Sequence, residues 1–448
     1  MKKKLLQMTA VLSAALMLTG CTFGRTNNNP GPDPQPISSQ TQNTNQPFTP
    51  GGGSVSLTAG KQGGMVVSAV PTEEQMSELS AAGCNLLAEI TADSDGKENI
   101  LISPVSVWMA LGMTENGADK ETLKQMEKIA NGGVSSESLN MIMAYLSKKM
   151  TDSEDVSWNV ANSVWLKDSD NPELDEKFAE TVLAYYRAEV WKAAFDEGTV
   201  NDINDWVNSN TNGMIDKIID RIGPNAVMYL INAIAFEADW AEQYEESQVR
   251  EGWSFTNEDG SVSDVTMLAS KEKRYFELGD GQGFVKPYKG NEFSFVAILP
   301  KEGISTSEYM DSIRRNNLDF AQAVREAEEE NVVVKIPEFS MDYGTGLSNR
   351  YINMGMTEPF SNAADFSKIM SDGRNDLYIG EIYHKTHIEV DRMGTRAAAA
   401  TAVEVRAKGM LVEEPPKEIV LDRPFVYAIV DNATGLPIFL GCQNTMNK

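Results

Sequence analysis

An α+β fold is predicted for this chain, and three stretches of its C-terminal half carry the β part of that prediction. From Thr395 to Ala407 every second residue (Thr395, Ala397, Ala399, Thr401, Val403, Val405, Ala407) is small or apolar, while Arg396, Glu404, Arg406 and Lys408 fall on the other face. That is the two-residue period of a strand. Leu421 to Gly441 reads as two apolar strands joined by the turn Asn432-Ala433-Thr434-Gly435, a C-terminal hairpin. Tyr378 to Val390 is strand-like as well, whereas the acidic run Glu326-Ala327-Glu328-Glu329-Glu330 reads as the solvated face of a helix.

The first of these stretches has a second reading. Alanine has the best helix propensity, so Ala397, Ala398, Ala399 and Ala400 alone fit a helix equally well; the strands that follow move the balance to the β reading. Gly394 opens the run, and Lys408 to Pro416 continue it in loop chemistry open to proteolysis. A segment able to be an exposed loop or a buried strand is a candidate conformational switch.

The N-terminus is organised differently. Lys2, Lys3 and Lys4 precede an apolar run from Leu5 to Leu18, the basic and hydrophobic sections of a secretory signal, too short to span a bilayer. Leu18-Thr19-Gly20-Cys21 resembles the bacterial lipobox, so residues 1–20 are expected to be removed and Cys21 lipidated. Residues 21–71 are rich in Asn, Pro, Gln, Gly, Ser and Thr and read as a flexible stalk holding the domain off a membrane. No second low-complexity break follows, so residues 72–448 are expected to form one large domain. An exported protein, lipid-anchored at a bacterial cell surface, is the expectation.

Charge and side-chain inventory narrow the function classes. The net charge of −26 argues against nucleic acid, whose phosphates it repels. With Cys21 on lipid, Cys84 and Cys442 remain, each in an apolar stretch, which favours buried thiols over a disulfide. His384 and His387 are the only histidines, and strand alternation sends them to opposite faces, so they do not share a metal. Zinc-helix, nucleophile-elbow, phosphate-loop and Cys-x-x-Cys patterns do not occur. The chain is expected not to be an enzyme, and no cofactor or metal is called for.

Motifs in order along the chain carry a resemblance to a known family. Asn99-Ile100-Leu101-Ile102-Ser103-Pro104-Val105-Ser106 is followed by Asn116-Gly117-Ala118, Ala161-Asn162-Ser163-Val164-Trp165, Leu230-Ile231-Asn232-Ala233-Ile234-Ala235-Phe236 with Trp240, and Gly355-Met356-Thr357. Gly394-Thr395-Arg396-Ala397-Ala398, Arg423-Pro424-Phe425 and Phe439-Leu440-Gly441 complete the set. From about residue 72 to 448 the chain resembles the serpins. The resemblance implies three β-sheets, about eight or nine helices, an exposed reactive-centre loop and a monomer.

It also implies a mechanism and residue roles. A serpin offers its loop to a serine protease; after cleavage the freed loop, from Thr395 onward, enters the central sheet and traps the acyl-enzyme. Fourteen residues to Lys408 would carry the protease on the order of 45 Å. Gly394, Thr395, Arg396 and Ala397 to Ala400 form the hinge, and no bulky residue or proline occupies its inward positions, which favours an inhibitor over a non-inhibitory serpin. His384, Asn232, Ser103 and Ser106 form a polar network where the sheet must part, and Trp240 stands where insertion begins. Arg392 and Glu338 occupy positions where the family has the opposite signs, an expected hinge ion pair with both charges exchanged. Family spacing puts the bait bond after Lys408, before Gly409, with Arg406, Ala407 and Met410 as alternatives; lysine suits a trypsin-like protease, the small residues an elastase-like one. A solute-binding surface lipoprotein is the alternative outside this family.

Overall fold

A computed structural model describes residues 48–94, 97–168, 173–395 and 416–446. Cys21, Arg396, Ala397 to Ala400, Arg406, Ala407, Lys408, Gly409 and Met410 lie outside the described residues.

Alternating and continuous apolar runs sort the strands into two hydrogen-bonded sheets. The first has the order β1 (Val55–Ser56), β4 (Glu189–Ala193), β3 (Val156–Lys167), β5 (Met228–Asp239), β13 (Gly394–Thr395), β12 (Glu381–Val390) and β11 (Phe339–Gly346). The second runs β14 (Lys417–Val420), β10 (Glu328–Pro337), β7 (Val262–Leu278), β8 (Gly281–Pro287), β9 (Phe293–Pro300), β15 (Phe425–Asp431), β16 (Pro437–Gln443) and β2 (Ile100–Ile102), with β6 (Val249–Thr256) against β7. Strand β7 is 17 residues long; it pairs with β6 and β10 and, at its end, with β8. It thereby joins two parts of the second sheet, and with the first sheet these make the three-sheet arrangement expected.

Nine α-helices, among the described residues, clothe the sheets: α1 (Glu73–Asp93), α2 (Pro104–Glu115), α3 (Lys120–Ile129), α4 (Ser136–Asp152), α5 (Glu176–Tyr186), α6 (Glu197–Asn210), α7 (Thr306–Arg315), α8 (Phe320–Arg325) and α9 (Ser348–Asn353). Strand β5 shows why its sequence is a nearly continuous apolar run. Leu230, Ile234 and Phe236 enter the main core, while Tyr229, Ile231 and Ala233 join a second cluster with Ile203 and Trp206 of α6. A strand covered on both faces has no polar side to alternate with.

Two expectations are corrected here. The stalk does not extend to residue 71, because the folded unit begins at Phe48. The Phe48 ring meets Trp191 edge-on at 5.7 Å, the Gly52 and Ser54 amides donate to the buried Asp202 carboxylate at 2.6 and 3.0 Å, and β1 pairs with β4. Further on, the Gly64 amide donates to the Glu180 carbonyl and the Ala69 amide to the Met141 carbonyl, both at 3.2 Å. A composition poor in large apolar groups hid this docking because it runs through the main chain. Gly52 is required for it: a Cβ there would stand 2.1 Å from the Gly198 carbonyl oxygen. The second correction concerns Glu328 to Glu330, which open strand β10 rather than line a helix; Glu328 and Glu329 pair with Tyr275 and Arg274 of β7. Solvated charges mark a surface without reporting its period.

The C-terminal hairpin is as expected, with β15 and β16 antiparallel and the Asp431 carboxylate accepting from the Thr434 amide and hydroxyl at the turn. Cys84 and Cys442 are free and buried, and burial pushes both thiols up to about 12.

Candidate functional site

The site is the seam between β5 and β12. These strands are parallel neighbours over Tyr229–Ala235 and Glu381–His387. Above that they part, and β13 takes the place between them: Gly394 and Thr395 pair antiparallel with Asp239 and Ala238, and Thr395 also with Val390. The chain therefore reverses at the end of β12 and its first two residues wedge into the sheet. Gly394 permits this, since a Cβ there would approach the Ala238 carbonyl oxygen to 2.0 Å. The reversal is fastened by Asp391, whose carboxylate accepts from the Met393 and Gly394 amides at 2.6 and 3.0 Å. Local capture of the main chain two and three residues on is what aspartate does in a turn.

Aromatic side chains form the floor under the wedge. Thr395 is fully buried, its hydroxyl 2.6 Å from that of Tyr288. Tyr288 stacks on Trp240 with ring centroids 4.7 Å apart and planes 6° from parallel. Trp240 donates its indole N–H to the Asp391 carbonyl at 2.8 Å and its amide to the Met393 carbonyl at 3.0 Å, and the Tyr244 amide donates to the Arg392 carbonyl at 3.1 Å.

The polar network lies lower on the same seam. Register places His384 opposite Asn232. Ser103 N-caps α2 ahead of Pro104, accepting the Ser106 amide at 3.2 Å, while its own amide donates to His384 Nε2 at 3.0 Å. Because Nε2 accepts, the proton of the neutral ring sits on Nδ1, which donates to Asn232 Oδ1 at 2.5 Å. The Asn232 amide nitrogen donates to the Ser106 carbonyl and, at 2.8 Å, to Asn162 Oδ1 on β3. One imidazole thus ties β12, β5, β3 and α2 together. Burial holds His384 down to about 3 from its ordinary 6.5, because desolvation disfavours the charged imidazolium.

Trp240 stands apart from this network. Trp240 is eight residues beyond Asn232 on the β5 path, about 26 Å at strand spacing, and belongs to the aromatic floor under Gly394 and Thr395. His387 faces the other way from His384, as alternation requires, with Nδ1 3.0 Å from Asp342 Oδ1. The expected Arg392–Glu338 ion pair is corrected: Glu338 accepts the Arg392 main-chain N–H at 3.2 Å, and among the described residues the two side chains do not form an ion pair. Burial raises the Glu338 carboxyl, with the Arg392 amide and guanidinium opposing that rise. Tyr288, Tyr244 and Asp391 were missed from sequence. Asp391 with Gly394 three residues on is a turn signal that could have found it; nothing local links Tyr288 to Thr395. Among the described residues no group of His, Cys, Asp and Glu is disposed to hold a metal, and no helix is long and apolar enough to cross a membrane.

A parallel strand pair parted at one end by Gly394 and Thr395, over a capped helix and a buried histidine, is a serpin arrangement. The family model described as Serpin (serine protease inhibitor) matches residues 77–445, and the chain belongs to that family. It is similar to neuroserpin of Gallus gallus, 28% identical over 389 residues, covering 82% of this chain and 90% of the relative. An uncharacterized serpin-like protein of Thermococcus kodakarensis is 30% identical over 348 residues, covering 77% and 80%. Among solved structures, the thermophilic serpin tengpin in its native state is 40% identical with a TM-score of 0.80, over 88% of this chain and all of that one. Tengpin in its latent state superposes less closely, at a TM-score of 0.71 and 38% identity, over 85% of this chain and all of that one.

Proposed function

We propose that the protein inhibits serine proteases as a suicide substrate. The observation that carries this reading is the wedge itself: the two residues that begin the loop already occupy the gap between β5 and β12. The residues that follow, from Arg396, keep the small inward set a growing strand needs. Strand β13 ends at Thr395 and β14 begins at Lys417, and we assign the bait to residues 396–416 between them.

In the reaction the protease serine attacks the carbonyl of the bait residue. An ester forms, the peptide bond breaks, and the amine of the next residue leaves as a new N-terminus. The freed segment then adds main-chain hydrogen bonds to β5 and β12 as it enters, and draws the tethered protease away before water can hydrolyse the ester. Insertion and hydrolysis compete. We assign the bait bond to Lys408–Gly409 and a trypsin-like target, with Arg406, Ala407 and Met410 as the other frames. The signal and Cys21 add export and a lipid anchor at the cell surface, with the protein acting as a monomer.

Incubation with trypsin-like and elastase-like serine proteases followed by denaturing gels tests this. A covalent complex with a C-terminal fragment beginning at Gly409 is expected; simple digestion without a complex refutes the inhibitor. Lys408→Ala should slow trapping of trypsin, and an unchanged rate moves the bait to another frame. Cys21→Ser should abolish lipid labelling and release the protein to the soluble fraction.

A further inference from the structure

Strand β8 carries a buried lysine next to the core residues Phe284 and Val285. Lys286 is 2% exposed between Val285 and Pro287. A lysine is almost never so buried without a partner, and the partner is Glu272 of β7, whose Oε1 lies 2.9 Å from Nζ. The same Oε1 accepts the Ser270 hydroxyl at 2.6 Å. Carboxylate and ammonium are both held, and the ammonium has two aromatic faces before it: Nζ is 4.5 Å from the Tyr244 ring centroid and 5.1 Å from that of Trp240.

Those rings are not generic core. Trp240 stacks on Tyr288, which meets the Thr395 hydroxyl, and Trp240 and Tyr244 hold the main chain at Asp391, Arg392 and Met393. A path of direct contacts runs from Glu272 through Lys286 to the platform on which the wedge rests. The attraction of a cation to an aromatic face strengthens when both are desolvated, so the buried ammonium fixes ring positions that packing alone would leave freer.

We infer that Lys286, held by Glu272, is a positioning residue for loop insertion: it keeps Trp240 and Tyr244 in place so that Gly394 and Thr395 stay seated between β5 and β12. This rests on the inhibitor reading only for its consequence in the reaction. A hinge kept seated needs only the residues after Thr395 to follow; a hinge that leaves the gap must re-enter while the acyl-enzyme hydrolyses. Loss of the ammonium therefore shifts the competition toward hydrolysis.

Lys286→Met alone strands a buried carboxylate, so the test uses the double variant Lys286→Met/Glu272→Gln, which removes both charges at similar volume, beside Lys286→Arg, which keeps the cation. Three quantities are measured: amide exchange over residues 392–395, uptake into the sheet of a synthetic peptide with the sequence of residues 396–408, and moles of protein consumed per mole of protease trapped. The double variant should lose exchange protection at the hinge and insert about fivefold more slowly, equivalent to about 1 kcal/mol, with more protein consumed per protease. Lys286→Arg should stay close to wild type. Equal hinge protection and equal peptide uptake in the double variant and wild type overturn the inference. A wild type that traps no protease overturns the inhibitor reading instead, while exchange and peptide uptake still decide the role of Lys286.

Discussion

Acidification should weaken the protein through His384, and the size of the effect follows from its surroundings. The imidazole is 1% exposed, accepts the Ser103 amide at Nε2 and donates to Asn232 from Nδ1. Protonation would turn the accepting nitrogen into a second donor facing an N–H. The folded state therefore resists charging down to about 3, while the unfolded chain charges at its ordinary 6.5. A depressed folded value means a contribution fully present above 6.5 and lost progressively as pH falls toward 3. At pH 5 the loss is about 2 kcal/mol, from about 1.5 pH units at 1.36 kcal/mol each, and it approaches about 5 kcal/mol near pH 3. Because His384 bridges β12 and β5, the seam should open first.

The assay is urea denaturation of wild type and His384→Gln at pH values from 7.5 to 5, with amide exchange over Glu381–His387 as the local readout. Wild type should lose about 2 kcal/mol more than the variant over that range, and exchange at the seam should rise more steeply than elsewhere in β3 and β5. The difference between variants is what matters, because other groups titrate as well. Parallel pH profiles for the two proteins would refute the argument that burial keeps this ring neutral.

The remaining predictions concern other parts of the molecule. Glu115 is buried, its carboxyl raised to about 8 by desolvation although Asn131 donates to both oxygens at 2.9 Å. A raised folded value is a contribution present below 4.5 and lost as pH rises through about 8, so Glu115→Gln should be more stable than wild type at pH 7.5 by a few kcal/mol in denaturant titrations, with the gain shrinking toward pH 4.5. Gly394→Ala puts a Cβ 2.0 Å from the Ala238 carbonyl, so it should expel the wedge; amide exchange at Thr395 and slower trapping in kinetic assays report it. Arg392→Glu places a second carboxylate near Glu338 and Asp391 and should accelerate polymerisation on warming, followed on native gels. Asp202→Ala removes the acceptor for the Gly52 and Ser54 amides, a loss of about 2 to 3 kcal/mol that should expose residues 48–71 to limited proteolysis.

How much of this was legible in the chain depended on how local each feature is. Ser103-Pro104-Val105-Ser106 pointed to the family, and in the structure Ser103 caps α2 there. The Asn432 to Gly435 turn announces a hairpin, and the alternation of Tyr378–Val390 separates His384 from His387 as β12 does. Each of these rests on contacts within a few residues, where spacing and side-chain type are sufficient evidence.

Contacts between distant residues were another matter. Glycine, serine and threonine in residues 48–71 suggested a free tether, yet main-chain groups dock there on α6, β4, α5 and α4, and composition does not report which amides have partners. Charges at Arg392 and Glu338 suggested an ion pair, and the carboxylate meets the Arg392 amide instead. Lys286 with Glu272, and Tyr288 with Thr395, are separated by 14 and 107 residues along the chain. By itself the sequence determined the family, the C-terminal hairpin and the alternation of β12, because these follow from short-range spacing and side-chain type. Only the tertiary structure decided which groups meet across the β5–β12 seam, since a buried polar atom takes the partner that folding brings within about 3 Å of it, wherever that partner stands in the chain.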